Sequence, residues 1–263
     1  MSMTKKMWLL MQSDKNKIES EVEELIEELV SSFNQRRIEK IEELKLDNLI
    51  KRLNPYLCRA KNITTAKEMI RTVLNGHLAL EEATLFGEVF ERLVISLSKY
   101  IDGGRKSSTE GIDLEFDRGG VRYLISLKSG PNWGNSAQIK KMISSFQTAQ
   151  RILRTQNPGI NVIAINGCCY GKETKPEKEG YRKLCGQEFW TFLTGDDTFY
   201  INIIKPMGQC IKYHSKEYEH IFDERVDILA KEFIQRFCLP NGIIDWEKLL
   251  QYNSGSKKHE ERK

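Results

Sequence analysis

The chain has 263 residues, of which 40% are hydrophobic and 30% charged, with a formal net charge of +4. That is long enough for one large domain, or a domain with a sizeable addition, and its balance excludes a disordered tail. No run approaches the ~18 consecutive apolar residues of a membrane-crossing helix.

The segment Met1–Gln12 carries two lysines and the apolar patch Met7-Trp8-Leu9-Leu10-Met11 but no small-residue cleavage site, so a secretory signal is not expected. Residues 15 to about 52 have a helical pattern: Ile18, Val22, Leu25, Ile26 and Leu29 recur at helix spacing, then Ile38, Ile41, Leu44 and Leu49, stopping before Asn54-Pro55. Thr64 or Thr65 is placed to cap a helix over Ala66–Leu74, with Asn75-Gly76 as its stop. The strongest helix is expected from Ala79 to Lys99, where Leu85, Phe86, Val89, Phe90, Leu93, Val94 and Leu97 form one arc before Gly103-Gly104. The period then changes to two. Residues 112–118 and 121–128 alternate around Gly119-Gly120, which reads as a tight hairpin.

After the loop 129–134, a helix is expected from Ser136 to about Arg154, capped by Asn135 or Ser136. Asn157-Pro158-Gly159 turns the chain into a strand, Ile160–Ile165. Strand, helix, strand in that order implies a right-handed crossover and a parallel pair, hence an α/β sheet. Residues 171–183 read as a charged loop, Phe199–Ile204 and Cys210–Tyr213 as short strands, and 217–237 as a helix with Phe222, Val226, Leu229, Phe233 and Phe237 inward. The end from Ser254 is polar and expected to be disordered. As regions, this gives a helical N-terminal part (1–76), a core with its loops (77–240) and a C-terminal tail (241–263). The six cysteines (58, 168, 169, 185, 210 and 238) contain no C-x-x-C pair and the four histidines no zinc spacing. We expect reduced thiols in a cytoplasm, with Cys168-Cys169 at the buried end of a strand.

The charge is segregated. From Arg118 through Lys172 there is no Asp or Glu, while Arg118, Arg122, Lys128, Lys140, Lys141, Arg151, Arg154 and Lys172 are all basic. A positive field of that kind favours a polyanion, nucleic acid or phosphate.

A two-residue turn at 119–120 sets Asp113 opposite Ser126, Glu115 opposite Leu124 and Asp117 opposite Arg122. One face of the hairpin is then Ile112, Leu114, Phe116, Val121, Tyr123, Ile125 and Leu127. The other collects Asp113, Glu115, Asp117, Arg122, Ser126 and Lys128, with Leu124. Asp113 and Lys128 become diagonal neighbours ~7–8 Å apart at the backbone. Metal-assisted phosphodiester cleavage needs such a pair. A carboxylate holds Mg²⁺, and an ammonium beside it orients the attacking water and offsets charge growing on phosphorus.

Gly111-Ile-Asp113-Leu-Glu-Phe followed by Tyr123-Leu-Ile-Ser126-Leu-Lys128-Ser-Gly-Pro-Asn-Trp-Gly-Asn-Ser136 resembles the PD-(D/E)XK nucleases, among them type II restriction endonucleases of the PmeII-like kind. The strings Leu53–Ile63 and Glu82–Glu91 are similar to that group as well, and the resemblance covers roughly residues 50–200. It implies a PD-(D/E)XK restriction-endonuclease-like mixed β-sheet flanked by helices. It further implies a metal aspartate at Asp113, a catalytic lysine at Lys128, Mg²⁺ (with Mn²⁺ able to substitute), double-stranded DNA as substrate, a homodimer, and a DNA methyltransferase as genetic partner.

One position departs from the pattern. Ser126 stands where the general motif has Asp or Glu, leaving the metal shell one carboxylate short. Related nucleases recruit an acid from a nearby helix, which here offers Glu88 and Glu91. At about 100° per residue, Glu91 falls about 140° from Phe86, at the edge of the apolar arc one turn after Gly87, whereas Glu88 falls about 200° away on the solvent face. Glu91 is preferred as an edge carboxylate reaching across the space Gly87 leaves, with Glu88 and Glu115 as the other candidates.

Asn132, Trp133, Asn135 and Gln138 lie nearest the catalytic lysine and are candidates for polar or stacking contacts to DNA. Lys140, Lys141, Arg151 and Arg154 suit backbone phosphates, and the loop Lys172–Lys183 is a second candidate reader, with Arg182 able to address guanine. Two other functions stay open from sequence: a nuclease of the same fold for repair or mobile-element cleavage, and a non-catalytic DNA-binding protein.

Overall fold

The computed structural model describes residues 5–209 and 211–256, with side chains described for 20–208 and 216–256. The chain divides into two compact units, Met1–Ser31 with Phe86–Cys210, and Ser32–Leu85 with Ile211–Lys263. These bounds do not follow the breaks at 76 and 240 drawn from the sequence. Two long helices, α1 (Lys5–Glu43) and α4 (Ala66–Asp102), each contribute to both units.

Continuity of α4 is the main departure. Asn75-Gly76 does not stop the helix, which runs through it. An internal glycine costs roughly 1 kcal/mol relative to alanine. Leu74 and Leu78, fully buried on either side, outweigh that cost.

The second unit is all helical. The end of α1, α2 (Leu46–Arg52), α3 (Pro55–Ala60), the first half of α4, α9 (Ile211–Phe237) and α10 (Trp246–Ser254) enclose one core. Its centre is Ile41, Leu49, Ile50, Met69, Ile70, Leu74, Val226, Leu229, Phe233 and Leu249. The inward side of the final helix is as expected. The short α3 had no period to announce it, but Asn54 caps it by accepting from the Leu57 N–H (3.0 Å), and Pro55 sits at the first helical position. The region read as a tail is partly ordered: Leu249 of α10 is buried, and Asn253 donates to the Ile50 carbonyl (2.6 Å). Residues 257–263 lie outside the described residues.

The first unit holds a five-stranded mixed sheet in the order β1-β2-β3-β5-β4. β1 (Leu114–Arg118) and β2 (Val121–Lys128) form the expected hairpin in the expected register, Glu115 opposite Leu124 and Asp117 opposite Arg122. Gly119 (φ 58°) and Gly120 (φ 77°) supply the two left-handed turn positions. α5 (Ser136–Gln156) crosses over to β3 (Asn161–Cys168), which runs parallel to β2. β5 (Tyr181–Cys185) continues the parallel set, and β4 (Glu177–Lys178) closes the edge antiparallel. The stretch 171–183 is therefore only partly loop. Its Lys- and Glu-rich strands have low intrinsic strand preference, which hid the hairpin at Glu179-Gly180.

β2 lies inside the sheet and is covered on both faces. On one side Leu124 packs with Val162 and Ala164 under Met142, Phe146 and Ala149 of α5. On the other, Phe116 and Tyr123 meet Phe192 of α6 (Gln187–Thr194), with ring centroids 6.1 and 5.2 Å away. The face expected to be polar is thus interrupted at its centre by the buried Leu124.

The expected strands at 199–204 and 210–213 are helices instead: α7 (Phe199–Asn202), α8 (Ile204–Gln209) and the start of α9; Cys210 itself lies outside the described residues. Asp196 explains the first of these. Its carboxylate accepts from both the N–H (2.8 Å) and the hydroxyl (2.7 Å) of Thr198, turning the chain into a helical start that the Ile-rich composition does not reveal. Cys168 and Cys169 are buried at the end of β3, as expected.

Candidate active site

Asp113 sits one residue before β1. Its N–H donates to the Ile125 carbonyl (2.9 Å), and its Oδ2 accepts from the Leu127 N–H (2.6 Å) and the Ser126 hydroxyl (3.4 Å). The carboxylate thus takes the place of a ladder partner where the hairpin pairing ends. Burial pushes this carboxyl above the usual carboxylate range, against the pull of the Leu127 N–H and the Lys128 charge, and the nearby Glu91 charge raises it further. The charges of Lys128 and Glu91 therefore both act on Asp113.

Glu91 reaches this place from α4. It is half-buried and forms an ion pair with Lys106 (Nζ to Oε1 3.0 Å). Glu88 is exposed. Glu115, on the hairpin, is engaged elsewhere: it pairs with Arg105 (2.7 Å), lies 3.9 Å from Arg122, and accepts from Ser107 (3.4 Å). The space beside Gly87 is not bare, because a Cβ there would lie 3.2 Å from the Ser129 hydroxyl. Gly87 instead lets α4 approach the loop that follows Lys128. Ser126 is buried, uncharged, and adds a hydrogen bond where the motif has a second acid.

Two further residues at this place were not read from the sequence. Lys106 comes from a loop without pattern. Its side-chain hydrogen bond to Glu91, then the Glu91 charge and that of Asp113, hold its ammonium above the usual lysine range. Asn166, buried in β3 opposite Ser126, is an amide amid the apolar residues of that strand's interior, and that was the signal available.

A family model described as type II restriction endonuclease EcoO109I matches residues 20–216. The chain belongs to that family. A search of curated proteins gives no match.

As a member of the EcoO109I family, the protein is a DNA-cleaving type II restriction endonuclease, and its mixed sheet with flanking helices is the restriction-endonuclease-like fold. The matched range includes the hairpin, Glu91 and the loops around Lys128. Enzymes of this kind generally use divalent metal ions. Among the described residues no group of three or more His, Cys, Asp or Glu gathers as a metal site. The donors present still suit Mg²⁺, which keeps most of its waters and takes one or two carboxylates. Asp113 is a buried acid whose charge is disfavoured and whose neighbour is a second acid, so a cation there would stabilise both.

The DNA-reading candidates of this family member divide sharply. Asn135 and Gln138 form a capping box for α5: the Asn135 side chain accepts from the N–H groups of Ala137 (3.0 Å) and Gln138 (3.1 Å), and Gln138 Oε1 accepts from the Asn135 N–H (2.9 Å). Trp133 donates its indole N–H to Asn166 Oδ1 (3.0 Å). Arg182 pairs with Glu177 (2.7 Å) and Lys141 with Glu110 (3.4 Å). Asn132, Lys140, Arg151, Arg154 and Lys172 are exposed. Of the basic residues in the acid-free segment, Arg118 is bound by Asp102 and caps the α6 carbonyls of Phe192 (2.5 Å) and Leu193 (3.0 Å), while Arg122 is held by Asp117 (2.5 Å). Acids just outside the segment therefore neutralise part of the field that the sequence suggested.

Proposed function

We propose that the protein is a Mg²⁺-dependent, sequence-specific endonuclease of the PD-(D/E)XK superfamily, PmeII-like, acting on double-stranded DNA as a homodimer in a cytoplasm beside a cognate methyltransferase. Asp113 and Glu91 hold the metal, which Mn²⁺ replaces, and Lys128 is the catalytic lysine. The carrying observation is the buried carboxyl of Asp113, held by the Leu127 N–H (2.6 Å) and the Ser126 hydroxyl (3.4 Å) on the strand that ends in Lys128, where the charges of Lys128 and Glu91 both act on it.

A divalent ion held by Asp113 and Glu91 would supply Lewis-acid chemistry at the scissile phosphate and make a water more acidic. The Leu127 N–H and the Ser126 hydroxyl orient the Asp113 carboxylate. Lys128, at the end of β2, places a positive charge beside it, orients the attacking water and offsets charge growing on phosphorus. Glu91 supplies the second negative charge that Ser126 lacks. Lys140, Arg151 and Arg154, along one exposed side of α5, contact phosphates, and Asn132 and Lys172 lie at the tips of loops flanking the site.

Purified protein incubated with long DNA and Mg²⁺ should yield discrete bands on a gel. A smear or structure-dependent nicking would favour a repair or mobile-element nuclease, and a shifted, intact substrate a non-catalytic DNA-binding protein. Lys128→Ala should abolish cutting while retaining binding, and Glu91→Ala should cost far more activity than Glu88→Ala. Cutting by Lys128→Ala would remove the site from this place.

A further inference from the structure

We propose that Trp133 is a positioning residue for the Lys128 ammonium, with Asn166 fixing the indole. This rests on the reading of Lys128 as the catalytic lysine. The Lys128 Nζ lies 4.9 Å from the centroid of the Trp133 ring, within the range where a cation is attracted by the negative ring face. A lysine carries its charge on a flexible four-carbon stem. Its position beside a phosphate therefore has to be restricted by something outside the strand.

The loop that brings the indole there is fastened at each step. The Cys169 N–H donates to the Lys128 carbonyl (3.1 Å) and the Tyr170 N–H to the Ser129 carbonyl (3.0 Å). Gly130 faces the Tyr170 ring so closely that a Cβ would lie 2.4 Å from it. Lys183 donates to the Pro131 carbonyl (2.9 Å) and pairs with Glu173 (3.4 Å). Asn166 then closes the loop. Only 1% exposed, it accepts the indole N–H on Oδ1 (3.0 Å) and donates from Nδ2 to the Ser126 carbonyl (3.1 Å). One amide thus joins the ring to the strand two residues before the lysine that the ring faces. An aspartate lacks the donor and a leucine lacks both groups, so the two-sided link is specific to an amide.

A Trp133 that serves this role is not primarily a base-stacking residue, and the two roles separate experimentally. In protein labelled with [¹³Cε]lysine, the Lys128 ε-CH₂ signal, assigned by its loss in Lys128→Arg, should be displaced by the indole ring current in the wild type. The displacement should vanish in Trp133→Leu and largely persist in Trp133→Phe. Trp133→Leu should lower kcat roughly ten- to hundredfold, a loss expected of a misplaced group. KM, and DNA affinity measured in Ca²⁺, should stay within about threefold, the kind of split expected when an interaction acts in the chemical step rather than in binding. Trp133→Phe should recover most of the rate. An undisplaced Lys128 signal in the wild type, a readout that does not depend on the Trp133 variants folding, would overturn the proposal. So would a Trp133→Leu protein that loses DNA affinity but keeps kcat. If the signal is displaced and Lys128→Ala still cuts DNA, the contact is real but the catalytic reading of Lys128 fails.

Discussion

The pairing pattern of the basic residues sets a quantitative expectation for how salt weakens DNA binding. Lys140, Arg151 and Arg154 are exposed on α5, in a segment of chain with no acid of its own. Arg118 and Arg122 belong to the same segment but are already bound to Asp102 and Asp117. Each phosphate neutralised contributes about −0.9 to the slope of log K against log salt. Replacing Lys140, Arg151 and Arg154 together by Gln should therefore flatten the slope by about 2.7 per protomer. Between 50 and 200 mM salt, that changes the span of affinity by roughly fortyfold for each protomer bound. The assay is fluorescence anisotropy of a labelled duplex in Ca²⁺ across that range. Arg122→Gln serves as control and should leave the slope unchanged, because its charge is already spent on Asp117 and Glu115. An unchanged slope in the triple variant, or an equal loss in the control, would refute the division into paired and free cations.

Three further expectations concern the site and its support. Asp113→Asn should abolish cleavage yet raise the melting temperature at pH 7.5. Burial lifts the folded carboxyl above its unfolded value, so charging it destabilises the native state as pH rises, while Asn keeps an acceptor for the Leu127 N–H; the gain should shrink toward pH 4, and a less stable variant at pH 7.5 would contradict it. Lys106→Ala should tighten Mn²⁺ binding about two- to fivefold by calorimetry, because the ion no longer displaces an exposed ammonium from Glu91; weaker binding would assign Lys106 to the metal's support instead. Gly167→Ala should cost about 1–3 kcal/mol in denaturant unfolding, as expected of overpacking. Its Cβ would meet the Phe189 ring at 2.3 Å, and an unchanged midpoint would mean that α6 yields more easily than its packing implies.

The hairpin was legible because two glycines fix a register, and a register fixes which side chains oppose one another; that made Asp113 and Lys128 neighbours, while their roles came only from the resemblance. The capped start of α5 and the parallel pair it links were legible for similar reasons. Where propensity misled, a local interaction or a buried flank decided the outcome: the Asp196–Thr198 turn made helix of an Ile-rich run, and Leu74 and Leu78 carried α4 through Gly76. Within the site, helical angle favoured Glu91 over the exposed Glu88. Lys106 could not be read, since a loop has no period and only folding brings it to Glu91. Asn135 and Gln138 illustrate the converse: polar residues in the loop after Lys128 satisfied the start of a helix.

That capping box bears on how such an enzyme could be retargeted. A side chain that holds a helix start cannot be exchanged freely, since losing a cap costs about 1 kcal/mol and loosens the start of α5. Asn132 and Lys172 are exposed. Libraries seeking new sequence preferences should therefore diversify those two tips and leave Asn135 and Gln138 untouched.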